Sequence, residues 1–228
     1  MQKLTILFDL DGTLVDSAPD LMTAHNHVMR KFGYETKTTE DIRNLAGKGA
    51  SVMIGRSIWG QAKKEFSKVL DEKQKKEMVK EFIDFYGKNI AVESKLVQGV
   101  KEFLEWSKKN NISMGICTNK QEHLAVSLLK EIKIYDYFEY VAGSNTFDYC
   151  KPDPRHLTSV IEIMQGDIKK SIMIGDSETD AESAKAARIP FILLEDGYTE
   201  KKVSDIHHDY LIKNFTGIEQ IIGKYLTE

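Results

Sequence analysis

A chain of 228 residues is long enough for one large core domain and a smaller second one. Its 32 Lys and Arg against 35 Asp and Glu leave a net charge of −3, so nothing electrostatic points to nucleic acid or a membrane surface as partner. No apolar run approaches the roughly 20 residues that cross a bilayer; the two cysteines, Cys117 and Cys150, have no metal-ligand spacing, and the N-terminus enters a strand pattern almost at once, which together read as a reduced, cytoplasmic chain without a signal peptide.

The first predicted element is a strand over Leu4–Phe8, apolar on both faces and so suited to the interior of a parallel sheet. It runs straight into Asp9-Leu10-Asp11-Gly12-Thr13. Ligands in open parallel sheets bind beyond the carboxyl ends of the strands. Residues two apart on an extended chain face the same side, so Asp9 and Asp11 face that crevice while Leu10 turns into the core. Two carboxylates this close cannot both ionise freely, because a like charge raises the pKa of one of them unless a cation intervenes. The pattern is that of a nucleophile or metal ligand beside a general acid/base; the blander alternative is a capped strand-to-turn junction. Gly12 permits the turn and lets main-chain N–H groups approach a ligand. Asp-x-Asp-Gly-Thr fixes four positions, and at background frequencies of about 5–7% each it arises by chance in well under one chain in a hundred. The chemical reading is favoured.

From residue 17 to residue 90 the periodicity is helical. Pro19 suits a first turn, Leu21, His25, Val28 and Phe32 share one face, and Gly33 is a fitting stop. Thr38 to Asp41 forms a capping-box pattern before Ile42 and Leu45. Helical pattern continues over 51–60 and 61–90, where Phe66, Val69 and Leu70 precede Met78, Val79, Phe82 and Ile83. Lysines from Lys63 to Lys80 alternate with Glu65, Asp71, Glu72 and Glu77, which reads as a solvated face. His25 lies on an apolar face and reads as packed. Arg43 and Ala46-Gly47-Lys48-Gly49-Ala50 form the most polar, least helix-like part of this insertion.

Strand and helix then alternate. A helix containing Val100, Phe103 and Leu104 ends at Asn110-Asn111, and strands follow at 112–117, 138–142, 171–175, 191–194 and 210–212. Helices are expected at 121–130, 154–164 and 179–187. This order predicts an α/β fold: a doubly wound parallel-sheet, Rossmann-like core made of residues 1–16 and 91–228, with an all-helical domain, residues 17–90, inserted into it.

Each further strand delivers polar residues at its carboxyl end. Strand 112–117 ends in Thr118-Asn119-Lys120, whose hydroxyl and amide suit phosphate oxygens. Strand 171–175 ends in Asp176, with Asp180 four residues on, so both carboxylates can face one point. After strand 138–142 a loop carries Lys151 between Cys150 and Pro152, with Pro152 and Pro154 stiffening it. Taken singly, these are a helix cap, a turn and a surface lysine; in this order at successive strand ends they favour a shared site. A phosphate monoester brings about two negative charges, and Asp9, Asp176 and Asp180 add three if ionised. Lys151 and a divalent cation offset these, and an oxygen-rich carboxylate set points to Mg²⁺.

The stretch Asp9-Leu10-Asp11-Gly12-Thr13-Leu14-Val15-Asp16-Ser17, with Thr118, Lys151 and Asp176 to Asp180, resembles the four motifs of the haloacid dehalogenase superfamily in its phosphatase branch, along essentially the whole chain. The resemblance implies Asp9 as a nucleophile that forms an aspartyl-phosphate and Asp11 as general acid/base. It implies phosphate binding by Thr118 and Lys151, and Mg²⁺ held by Asp9, the main-chain carbonyl of Asp11 and Asp176, with Asp180 in support. An aspartate at position 11 disfavours C–halogen chemistry. The helical insertion is similar to the family's movable cap. Its Gly47-Lys48-Gly49 segment resembles the substrate-facing loop of phosphoglycolate phosphatases, which points to Lys48 and Arg43 meeting the carboxylate of a small anionic substrate. The expected reaction is hydrolysis of a small phosphorylated metabolite, 2-phosphoglycolate first, by a monomer or homodimer. Pyrophosphatase, nucleotidase, sugar-phosphate mutase and phosphonate hydrolase chemistry share the core, and a phosphate-sensing module lies outside the enzyme class. Two departures from the phosphoglycolate phosphatase pattern stand out: Gly143-Ser144-Asn145 in place of Gly-Gly-Asp, and Arg188 in place of a glycine.

Overall fold

Apolar strand sequences with both faces covered build the centre of the molecule. The computed structural model describes residues 3–62 and 71–226, so Lys63, Glu65, Phe66, Val69 and Leu70 of the expected helical run lie outside the described residues. Six parallel strands, β1 (Thr5–Phe8), β4 (Ser113–Cys117), β5 (Tyr140–Ala142), β6 (Ser171–Gly175), β7 (Phe191–Leu194) and β8 (Tyr210–Ile212), lie in the order β5-β4-β1-β6-β7-β8. Thr5 pairs with Ser113 on one side and Ser171 on the other. The strand order reverses around β1, which puts the crevice for a ligand at its carboxyl end.

Alternation along β1 divides the core. Ile6 and Phe8 face α5 (Val100–Lys109), α6 (Glu122–Glu131) and α9 (Glu219–Leu226); Leu7 faces α7 (Arg155–Ile163) and α8 (Glu178–Ala187). Phe8 packs its ring among Phe103, Phe138 and Phe215, with centroids 5.9 to 6.4 Å away. Leu10 is fully buried in the same cluster, as its position between two crevice-facing aspartates requires.

The helical insertion comprises α1 (Ala18–Phe32), α2 (Thr39–Leu45), α3 (Ala50–Ala62) and α4 (Glu72–Lys88), which share their own apolar cluster. A two-residue antiparallel pair, β2 (Val15–Asp16) with β3 (Lys95–Leu96), joins its two ends at the sheet. Thr38 and Asp41 cap α2 reciprocally, and Gly33 ends α1 in the left-handed conformation. His25 is buried, with Nε2 2.9 Å from Ser57 Oγ and Nδ1 3.2 Å from Asn26 Oδ1, a packed histidine satisfied within the insertion. The expected strand 138–142 is shorter, because Tyr135–Tyr137 forms a 3₁₀ turn before it. Neither β2 and β3 nor α9 is among the elements read from the periodicity.

Arg188 takes the helix-ending left-handed position after α8, at φ 58° and ψ 39°. A side chain with a Cβ is strained there, and its guanidinium end is on the exposed surface, so Arg188→Gly should stabilise the fold by roughly 0.5–1 kcal/mol after the extra chain entropy of glycine is counted. Urea unfolding of the two proteins measures this directly.

Candidate active site

Four strand ends converge on the crevice above β1. Asp9, 3% exposed, leaves the strand with its main-chain N–H on the Ile174 carbonyl at 3.0 Å. Its Oδ1 accepts from the Leu10 N–H at 2.7 Å and lies 3.0 Å from Lys151 Nζ. Lys151, 2% exposed, also donates to Asp180 Oδ1 at 2.6 Å. Asp180 Oδ2 is used locally: it accepts from Ser177 Oγ at 2.7 Å and from the Ser177 and Asp176 N–H groups, which closes the capping box of α8. Asp176 accepts from Thr13 Oγ1 at 2.7 Å and from the Tyr198 N–H at 2.6 Å. Oxygens of Asp9, Asp176 and Asp180 lie within 4.8 Å of one another. Gly12, at φ +81°, fits because any Cβ there would collide with Asp176 Oδ2 and the Tyr198 ring.

One ammonium among three buried carboxylates leaves an excess of negative charge. Burial, reinforced by Asp180 and opposed by Lys151, pushes the Asp9 carboxyl up to about 6. Burial and the facing Asp180 and Asp9 carboxylates lift Asp176 well above the ordinary range. Burial works against the Lys151 ammonium, but Asp180 and Asp9 outweigh it and hold its pKa above the usual value. An all-oxygen, buried donor set with surplus negative charge is what a hard divalent cation relieves. The residues present fit such an ion.

Asp11 stands apart from this cluster. Lys120 Nζ forks onto both of its oxygens at 2.8 Å, and Ser17 Oγ donates to Oδ1 at 2.5 Å. The Tyr86 ring of α4 covers the Lys120 ammonium, 4.5 Å from the ring centroid. Lys120 and Ser17 thus belong to the site although motif reasoning passed over them; Lys120 had a signal in its place directly after Thr118-Asn119. Tyr198 had none. It lies in the loop after β7, and its hydroxyl donates to Asp16 Oδ1 at 2.6 Å while accepting from the Ala18 N–H at 2.8 Å.

Thr118, buried at the end of β4, and Asn119 line a cavity of about 270 Å³ together with Asp9, Asp11 and Lys120. Asn119 Nδ2 donates to the Gly47 carbonyl at 3.2 Å and the Lys151 carbonyl at 3.1 Å, and its Oδ1 has no partner among the described residues. The 46–51 segment at the start of α3 forms part of the same lining. Lys48 is there, with its Nζ 2.9 Å from a Glu178 oxygen. Arg43 is elsewhere. Its guanidinium forks onto Asp16 at 2.8 Å on both branches and stands over the Tyr198 ring, outside the cavity lining. Asn145 caps α6, its Oδ1 accepting from the Glu122 N–H at 2.9 Å, while the Ser144 N–H bonds the Lys120 carbonyl and Ser144 joins the cavity lining.

Residues 6–194 match the family described as haloacid dehalogenase-like hydrolase. A phosphoglycolate phosphatase of Mesorhizobium japonicum is 36% identical over 218 residues, covering 96% of this chain and 94% of its own. One from Agrobacterium fabrum is 37% identical, with 96% and 94% covered. A crystal structure of a predicted phosphoglycolate phosphatase from Haemophilus somnus 129pt superposes with a TM-score of 0.90 at 27% identity, covering 97% of this chain and 98% of that one.

Proposed function

The chain belongs to the haloacid dehalogenase-like hydrolases and is phosphoglycolate phosphatase-like, and from that premise we propose that it hydrolyses a small phosphomonoester with Mg²⁺, Asp9 receiving the phosphoryl group. The observation that carries this reading is the Asp9 carboxylate held 3.0 Å from a buried lysine, beside two further buried aspartates, in the lining of a cavity. 2-Phosphoglycolate is the proposed substrate, on the strength of the names of the relatives and of the 46–51 segment. There Ala50 and Ser51, the first residues of α3, line the cavity, and the first turn of a helix has main-chain N–H groups without intrahelical partners, which favours an anion. Lys48 adds to it only by exchanging Glu178 for the substrate's carboxylate. Arg43 is assigned to Asp16 and Tyr198, where it ties α2 to the core.

In the first half-reaction an Asp9 oxygen attacks phosphorus, the bond to the ester oxygen breaks, and Asp11 gives its proton to the departing alkoxide. Lys151, Thr118 and the N–H groups around Gly12 hold the transferring phosphoryl oxygens, while Asn119, its amide N–H groups on the Gly47 and Lys151 carbonyls, positions the loop that carries Lys151. In the second half Asp11, now ionised, takes a proton from water while that water attacks the aspartyl-phosphate, which releases phosphate and restores Asp9. Lys120, forked onto both Asp11 oxygens, and Ser17, donating to one of them, hold the Asp11 carboxyl in place for both proton transfers. Asp9, Asp176 and the main-chain carbonyl of Asp11 would hold Mg²⁺, with Asp180 fixing the arrangement through Lys151. The ion supplies positive charge that lets a carboxylate approach a dianionic ester.

Asp9→Asn should reduce turnover of a phosphate ester with Mg²⁺ to background while circular dichroism shows the fold intact; retained turnover contradicts the assignment. A second expectation follows from charge. With its pKa raised from 3.8 to about 6, Asp9 favours the metal-free fold below the lower value, and that stability is lost as pH rises through about 6. Mg²⁺ needs the ionised group, so Asp9 alone should raise its affinity about tenfold from about pH 5 to about pH 7, and ionisation of Asp176 adds to the rise. The Mg²⁺-induced rise in Tm should therefore be larger at the higher pH, and equal shifts contradict a site that includes Asp9.

A further inference from the structure

The cavity lined by Asp9 and Asp11 also carries Ser51, Gln121 and Ser144, but much of its lining is apolar. The apolar wall is made by Leu21 of α1, Met53 of α3, Val79, Phe82 and Ile83 of α4, and Leu124 of α6. Among the described residues the two ammonium groups on the lining are both committed, Lys120 to Asp11 at 2.8 Å and Lys48 to Glu178 at 2.9 Å. A charged leaving portion pressed against that wall would lose water and gain no counter-charge, whereas a hydrocarbon one is driven there by burial. A two-carbon acid has almost no hydrocarbon to bury and leaves this wall without a role.

We propose that the wall is a leaving-group subsite for phosphomonoesters of apolar alcohols, of benzylic or branched aliphatic size, and that the enzyme turns these over alongside small anionic esters. This rests on the reading of Asp9 and Asp11 given above, because those residues set the point from which the leaving portion extends. The chemistry is unchanged: the P–O bond to the alcohol breaks, and Asp11 protonates the alcohol oxygen. The insertion supplies most of the wall, from three of its helices, and the core supplies Leu124, so the subsite exists only where the two meet.

The test compares benzyl phosphate with ethyl phosphate, whose leaving alcohols have similar basicity, so that the ratio of their kcat/KM values reports the wall and not the bond broken. With Mg²⁺ present, benzyl phosphate should be favoured by at least about tenfold, the scale of one or more extra methylene contacts in an apolar site. Ile83→Trp, which fills the cavity from a half-buried position on α4, should lower that ratio about tenfold or more. Val79→Asn, also half-buried, should lower it in the same direction by adding polarity, and serves if the tryptophan variant does not fold. Equal kcat/KM values for the two esters in the native protein, or a ratio unmoved by a folded variant, would overturn the subsite. Hydrolysis of neither ester nor 2-phosphoglycolate, with native protein and Asp9→Asn alike at background, would instead bring down the reading of Asp9 and this subsite with it.

Discussion

A single buried ammonium holds the site together. Lys151 bridges Asp9 and Asp180, at 3.0 and 2.6 Å, from a position with almost no exposure. Removing one partner from a buried ion pair costs about 3–5 kcal/mol, because the charge left behind has no water to turn to. The cluster is therefore specified from several directions at once. Asp9 is placed by β1, Asp180 by the capping box of α8, and Lys151 by a loop whose carbonyl is itself bonded by Asn119. One lysine cannot neutralise three carboxylates. The imbalance lifts Asp9 and Asp176 above their ordinary range and makes the same cluster a receptor for a cation.

A second layer of polar contacts joins that cluster to the helical insertion. The Tyr198 main chain bonds Asp176, while its hydroxyl reaches Asp16 and the start of α1. Arg43 of α2 completes the contact by forking onto Asp16. On another side Lys48 meets Glu178, and Asn119 meets the Gly47 carbonyl. Tyr198 and Leu124, both from the core, are also buried in the insertion's apolar cluster. The acid cluster and the insertion thus share residues, so a change in how the helices seat on the core reaches Asp176 through one tyrosine and Asn119 through one loop.

Much of this was legible before any coordinates. Two-sided apolar strands ending in Asp9, Thr118 and Asp176 mark a parallel sheet and its crevice, because strand burial and ligand position in such sheets follow general rules. What periodicity misses is contact made across the chain. Arg43 reads as a free cation in a polar stretch, yet Asp16, 27 residues earlier, claims it. Lys120 was visible beside Thr118-Asn119, but its role depends on Asp11, 109 residues away. Tyr198 carries no motif at all: it meets Asp176 through a backbone N–H that any residue but proline would offer, and the partners of its hydroxyl, Asp16 and Ala18, lie 182 and 180 residues away. The two-residue strands β2 and β3 are too short to show a period. Arg188 is the reverse case: its departure from glycine signalled a strained helix end, and the backbone there is left-handed.

The account turns on Asp9 being the residue that carries phosphate, and that is open to direct observation. Native protein mixed with Mg²⁺ and excess phosphate ester, quenched in acid during turnover and digested, should yield a peptide containing Asp9 that is heavier by one phosphoryl group. Fragmentation should localise the added mass to Asp9. Phosphate found on another side chain, or rapid turnover with no covalent phosphate trapped under any quench time, would contradict it.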